Sequence, residues 1–256
     1  MAPSDTTTES GLAAVYDALA PIYDALGGAR PVGLLAAERL EALVDAPAGA
    51  PVAILDLGCG TGTSLLALHA RHPRWRLCGV DLSAGMLAVA RGKPGGGGVL
   101  WARARLPGPL PFAGPFDAVT AFYDTLNHLP DLEALAATFR VAAASLRPGG
   151  LLAFDLNNAF GFETWWRYRV ALDVEGRHVD TALDYDARAR TAEAAIALAH
   201  GGRERRFVLR QRCFSDAEVG RALAAAGLAL EAADPWSPVD PDSPSKTWFL
   251  AAKKHA

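Results

Sequence analysis

The residues able to do chemistry fall into three groups. Two carboxylates, Asp56 and Asp81, bracket three glycines at alternate positions, Gly58, Gly60 and Gly62, with Cys59 between the first two. Glycine has no Cβ, so such a turn lets a ligand lie against main-chain N–H groups. Asp81 follows Gly62 by 19 residues, and a carboxylate there can accept hydrogen bonds from both hydroxyls of a ribose. The second group, Asp124, Asn127 and His128, lies in the stretch D-T-L-N-H-L. An imidazole with an unperturbed pKa of about 6.5 suits general-base work, and equally suits a helix-capping or hydrogen-bonded structural role. The third is a Tyr-Asp pair repeated seven residues apart, Tyr16-Asp17 and Tyr23-Asp24.

Periodic patterns supply the elements that must position these groups. Val52–Leu57 is apolar except for Asp56 and ends at the glycines, which reads as a buried strand feeding a tight turn. The amphipathic stretch Ser64–His72 makes that turn the start of a helix, whose positive end faces whatever the loop holds. Leu77–Leu82 reads as the next strand, and Ser83 caps a helix with Met86 and Leu87 on its inner face. Strands are expected at Val99–Ala104 and Phe116–Tyr123. A helix over Asp131–Leu146 then stops at Arg147-Pro148-Gly149-Gly150, before a strand at Leu151–Leu156. In an open α/β sheet ligands sit beyond the carboxyl ends of the strands, where the Asp124–His128 exit falls. The spacing G-x-G-x-G, with Thr63 next, departs from the G-x-G-x-x-G of dinucleotide-binding turns and counts against a nicotinamide oxidoreductase.

The run D-L-G-C-G-T-G resembles the first motif of class I S-adenosylmethionine-dependent methyltransferases. D-L-S-A-G-M-L-A-V-A-R resembles their second motif, and F-D-A-V and L-R-P-G-G-L-L-A-F-D follow in the family's order. The resemblance spans Tyr16 to Lys253. It implies a doubly wound, Rossmann-like α/β fold with a seven-stranded sheet, ending in a reversed hairpin from Leu228–Ala232 and Lys246–Ala252. It also implies S-adenosyl-L-methionine as cofactor, S-adenosyl-L-homocysteine as product, and cofactor contacts from Tyr16, Asp56, Gly58, Cys59, Gly60, Asp81, Leu82, Met86, Arg103 and Tyr123. Catalytic and acceptor-side roles would fall to Tyr23, Asn127 and His128, because an N-terminal Tyr-Asp segment often covers the cofactor in this family. One departure stands out: the third strand ends in W-A-R-A-R-L-P, with Ala102 and Arg103 where an acid usually meets the adenine. The exit Y-D-T-L-N-H also differs from the Asn-Pro-Pro-Tyr type of adenine-modifying enzymes, which favours a small-molecule acceptor.

The chain divides on this reading into an N-terminal helical cap (1–46), a cofactor-binding domain (47–158 and 215–256) and an inserted antiparallel lid (159–214). Within the cap the first ten residues are expected to fray and Pro21 to break the helix. The insertion alternates polar and apolar residues, as antiparallel strands with one wet face do, with hairpin turns at Gly176 and Gly201-Gly202. Trp165, Trp166 and Tyr168 either line an acceptor pocket or form the insertion's own core. Arg210 and Arg212 either pair an acidic group on the acceptor or lie on a solvated face. Ser215-Asp216-Ala217-Glu218 is a capping box for the last helix.

Composition sets the outer bounds. With 51% hydrophobic and 21% charged residues in 256, the chain has ample core for one large domain with an insertion. A net charge of −3, and the acids Asp173, Glu175, Asp180, Asp184 and Asp186 in the insertion, argue against a nucleic-acid partner. Three scattered cysteines are too few for a disulfide framework or a zinc cluster, so no metal is expected. The first ten residues lack the basic and apolar character of a signal peptide, and no apolar run approaches a membrane span. The expectation is a cytoplasmic protein, monomer or homodimer, working on a small molecule away from membranes. Two relatives of the same fold stay open. An aminopropyl transferase using another adenosyl ligand would want extra acids at the fourth-strand exit, and a non-catalytic binding protein would differ only in lacking turnover.

Overall fold

A computed structural model describes residues 6–9, 11–26, 29–44, 50–237, 240 and 242–254. In chain order the elements begin with β1 (Thr6–Glu9), α1 (Leu12–Leu19, continued by a 3-10 turn over Ala20–Ala25), α2 (Ala29–Leu43), β2 (Ala53–Leu57) and α3 (Thr63–Arg71). They continue with β3 (Arg76–Asp81), α4 (Ala84–Gly92), β4 (Leu100–Arg103), β5 (Phe116–Ala121), α5 (Leu132–Ser145) and β6 (Leu146–Asn157). The remainder is α6 (Ala159–Trp165), β7 (Arg169–Val174), β8 (Arg177–Asp186), β9 (Thr191–His200), β10 (Arg203–Arg212), α7 (Asp216–Ala225), β11 (Leu228–Trp236) and β12 (Lys246–Lys253).

The larger sheet has seven strands in the order β11-β12-β6-β5-β2-β3-β4. Its first five strands in sequence run parallel, and β12 and β11 close one side antiparallel. Strand order turns back between β5 and β3 around β2, so the carboxyl end of β2 opens on a crevice. Helices cover both faces. Leu135 and Phe139 of α5 pack with Val219 and Leu223 of α7 on one side, and Leu40, Leu65, Leu68 and Leu87 of α2, α3 and α4 pack on the other. One strand is longer than expected: β6 runs through Arg147–Gly150, with a register irregularity opposite Phe116–Ala118. Among the described residues no helix is long and apolar enough to cross a membrane, and no three His, Cys, Asp or Glu side chains are grouped to hold a metal.

The second sheet has five strands in the order β1-β10-β9-β8-β7. Its hairpin turns fall at Glu175-Gly176 (φ 48° and 73°) and Gly201-Gly202 (φ 58° and 77°), the paired left-handed geometry of two-residue hairpins. One expectation needs correction. The N-terminus contributes a strand: Thr6–Glu9 pairs in parallel with Glu204–Phe207. The inserted sheet packs against the cap. Val15, Leu19 and Ile22 of the cap share one core with Val179, Ile196, Leu198, Phe207 and Leu209 of the sheet. Cap and insertion form a single covering layer, and Pro21 sits where α1 tightens into the 3-10 turn.

Candidate active site

The turn after β2 is sewn to β3. The N–H groups of Gly58 and Cys59 both donate to the Val80 carbonyl, at 2.8 and 3.0 Å. Gly60 N–H donates to Asp81 Oδ2 and Ser83 N–H to Asp81 Oδ1, each at 2.8 Å. Asp81 therefore sets the loop's shape before any ligand arrives; burial raises its carboxyl while these amides pull it down. Gly58 (φ 71°) has no room for a Cβ, which would stand 2.4 Å from the Thr125 side chain. Gly60 (φ 54°) differs, because a Cβ there would meet no atom within 4 Å and would project into open space. Beneath the turn, Asp56 is buried and accepts from Thr120 Oγ1 at 2.7 Å, and burial pushes its carboxyl up to about 7.

That open space is a cavity of about 270 Å³. One end is walled by Gly58, Cys59, Gly60, Asp81, Leu82 and Met86, the other by Tyr16, Tyr23, Tyr123 and His128. Near the β4 exit the wall is Ala104, Arg105 and Leu106. Arg103 is not in it: its Nε turns away to donate to the Leu82 carbonyl at 2.9 Å. Asp56 and Asp81 are the only acids lining the cavity among the described residues.

The repeated Tyr-Asp pair divides its labour. Both tyrosines face the cavity, their rings edge to face at 6.1 Å. Both aspartates clamp the cap onto the domain below. Asp17 Oδ1 accepts from Ser83 Oγ (2.5 Å) and from the Gly85 N–H (2.7 Å) at the start of α4. Asp24 accepts from Thr61 Oγ1 (2.6 Å), inside the glycine turn, and pairs with Lys93 (2.5 Å).

At the far end, Tyr16 Oη lies 2.8 Å from His128 Nε2, and His128 Nδ1 lies 3.2 Å from the Arg210 carbonyl. A carbonyl only accepts, so Nδ1 carries the proton, Nε2 offers its lone pair, and Tyr16 is the donor. Burial holds the imidazole below its usual pKa, so this neutral tautomer prevails at pH 7. Burial raises both Tyr16 and Tyr23 well above the phenol range, keeping their protons in place.

A buried ionic cluster supports this end, and most of it was invisible in the sequence. Tyr123 (φ 57°) and Asp124 (φ 60°) are consecutive left-handed residues, held because Asp155 accepts both their N–H groups, at 3.1 and 2.9 Å. Lys246, the first residue of β12, contacts Asp124, Asp155 (3.5 Å) and Asn157 Oδ1 (2.9 Å) with its ammonium buried. Burial alone would lower that lysine, but the two carboxylates override it and hold it charged. The same cation outweighs burial at Asp124 and keeps it ionised, whereas burial leaves Asp155 raised. Gln211 completes the cluster, donating to Asp124 and accepting from Asn157.

Several sequence candidates fall outside the cavity. Asn127 is fully buried and spends its amide on the Asn157 N–H and the Arg212 and Asn157 carbonyls, so it ties the exit to β6 and β10. Trp165 and Tyr168 are partly exposed and not part of the cavity wall, although Tyr168 lies near enough to Tyr123 to act on its phenol, and Trp166 packs on Phe162. Arg210 pairs with Glu193 at 3.0 Å and Arg212 lies over the Phe214 ring. Asn157, Gln211 and Lys246 carry no local motif, and Asp155 ends the L-R-P-G-G-L-L-A-F-D run without any sign of its partners; three strands bring them together.

Residues 54–150 match the model of a methyltransferase domain family. The chain is 32% identical to a malonyl-[acyl-carrier protein] O-methyltransferase from Hahella chejuensis, over 73% of this chain and 63% of that one. It spans between 55% and 63% of the length of the first curated relatives it matches. Among solved structures, an amino pentose methyltransferase from Micromonospora echinaspora is 26% identical with a TM-score of 0.65, covering 91% of this chain and 95% of that one. A methyltransferase from Streptomyces caelestis is 24% identical with a TM-score of 0.76, covering 94% and 98%.

Proposed function

From a chain that carries the class I S-adenosylmethionine-dependent methyltransferase fold, a Rossmann-like core under an inserted lid, we propose methyl transfer to an amine of a small molecule. The observation that carries this reading is the single cavity joining the glycine turn and Asp81 to Tyr16 and His128 beneath the cap. The residues fit the donor. Gly60 leaves a cradle that a Cβ would fill, Asp81 keeps lone pairs for ribose hydroxyls, and Met86 and Leu106 offer apolar walls. Bound there, S-adenosylmethionine would supply a sulfonium methyl as electrophile and leave as S-adenosylhomocysteine.

The chain's own part is to align, to exclude water and to take a proton. Alignment with desolvation can supply several powers of ten in rate. The cap performs both, since Tyr16 and Tyr23 wall the cavity while Asp17 and Asp24 hold it shut. An acceptor N–H can donate to the Tyr16 oxygen, whose own proton is directed at His128 Nε2, so the pair can receive the proton the nucleophile sheds. With Asp124 committed to Lys246, the acceptor end offers neutral side chains, which suits an uncharged nucleophile. Similarity to the amino pentose methyltransferase supports a sugar-like amine. The aminopropyl alternative lacks the acids it would need, because Asp124 and Asp155 face Lys246.

Calorimetry with S-adenosylmethionine and a radiolabelled methyl-transfer screen over amino sugars test this together. Asp81→Ala should weaken cofactor binding at least a hundredfold, two lost charge-assisted hydrogen bonds being worth roughly 3 kcal/mol or more. Tyr16→Phe should retain binding and lose turnover. Wild-type protein that binds no adenosyl ligand at millimolar concentration would overturn the assignment; binding without turnover on any acceptor would leave a non-catalytic binder.

A further inference from the structure

One edge of the covering sheet is β7, the other being the short β1, and the sequence of β7 is self-complementary. From Arg167 to Glu175 the chain reads R-Y-R-V-A-L-D-V-E. Folded about Ala171 against an antiparallel copy of itself, it sets Arg169 opposite Asp173 and Val170 opposite Leu172. The charges all lie at odd positions and the apolar residues Tyr168, Val170, Leu172 and Val174 at even ones, so each class occupies its own face.

The backbone independently selects the same register. Leu183 N–H donates to the Tyr168 carbonyl at 2.9 Å, so even residues of β7 direct their N–H and C=O groups at β8. Arg169, Ala171 and Asp173 therefore point theirs out of the sheet. A pairing centred on Ala171 joins odd residues to odd residues and makes about six hydrogen bonds between the strands. The even face is the one that continues the cap core: Leu172 stands opposite Val179, which packs with Val15 and Leu19 of α1. At this edge that core is unfinished, with Tyr168 and Leu172 47% and 43% exposed.

We propose that this edge docks a second copy of the chain, joining two covering sheets into one continuous ten-stranded sheet. An open edge of this kind is otherwise a liability for uncontrolled pairing; Arg169 and Asp173 already meet Asp180 and His178 of β8, and in this one register the copy's opposite charges extend those pairs across the seam. The proposal is independent of the reaction assigned to the site.

Sedimentation equilibrium of the full chain across a micromolar range tests it. Wild-type protein should be a dimer. Asp173→Arg sets like charges opposite each other twice and should weaken association at least tenfold, whereas Asp173→Arg with Arg169→Asp restores opposite charges and should recover it. Ala171→Pro removes only an outward-facing donor and should yield a folded monomer, its circular dichroism unchanged. A monomeric wild type at 100 µM, or a dimer indifferent to both Ala171→Pro and Asp173→Arg, would overturn the proposal.

Discussion

Replacing Asp56 by Asn should make the protein more stable in alkaline solution, and the size of the gain follows from its surroundings. Asp56 lies in the central parallel strand, 5% exposed, with one oxygen held by Thr120. Burial lifts its carboxyl to about 7, against about 3.8 in an unfolded chain. The folded value is above the unfolded one, so folding favours the protonated form. The associated stability is complete below about pH 4 and is lost as pH rises through about 7. Linkage over these two values makes the cost of ionising Asp56 grow by about 2.5 kcal/mol between pH 5 and pH 8. Asn keeps an oxygen for the Thr120 hydroxyl and cannot titrate. Urea denaturation of both proteins at half-unit steps from pH 5 to 8.5 gives the stability difference directly, and other titrating groups largely cancel. Variant minus wild type should climb by about 2.5 kcal/mol across that interval. A difference that is flat, or that falls with pH, would refute the reasoning.

Other perturbations address the remaining parts. Lys246→Met strands the Asp124 and Asp155 carboxylates in the interior and should cost roughly 3–5 kcal/mol in chemical denaturation; adding Asp124→Asn should recover much of it. Gly60→Ala should fold, at a cost of about 1–2 kcal/mol for a left-handed alanine, yet lose at least tenfold in S-adenosylmethionine affinity by calorimetry. Unchanged affinity would show the cradle lies elsewhere. Asp24→Asn removes the carboxylate paired with Lys93 and leaves that lysine only its Thr61 and Thr63 contacts, so stopped-flow dissociation of the cofactor should quicken and depend less on salt than in wild type.

What the sequence disclosed follows from the range over which its signals act. The turn from Gly58 to Gly62 and the acid at Asp81 sit within one strand–helix–strand unit, so their spacing alone locates the donor end of the cavity. The Tyr-Asp repeat is equally local, although only the fold reveals that its tyrosines and aspartates face opposite ways. The ionic cluster has no such signature. Lys246 reads as an ordinary strand-opening lysine, and Asp155 as an acid in an apolar strand, until β6, β10 and β12 converge. Conversely, Trp165 and Tyr168 look like pocket aromatics because composition cannot say that the fold leaves them partly exposed, outside the cavity wall. Thr6–Glu9 looked too polar for ordered structure, since its partner strand lies at 204–207.

That last pairing bears on the order in which contacts can form. The donor end of the cavity is encoded within residues 52–86, and its strand–turn–helix contacts are short in sequence. Its cover is not: β1 must wait for β10, and the clamp behind His128 is finished only when Lys246 arrives in β12. Loops this long are slow to close. The glycine turn thus rests on contacts short in sequence, whereas the acceptor chamber depends on pairings that join residues 6–9 to 204–207 and Asp124 to Lys246.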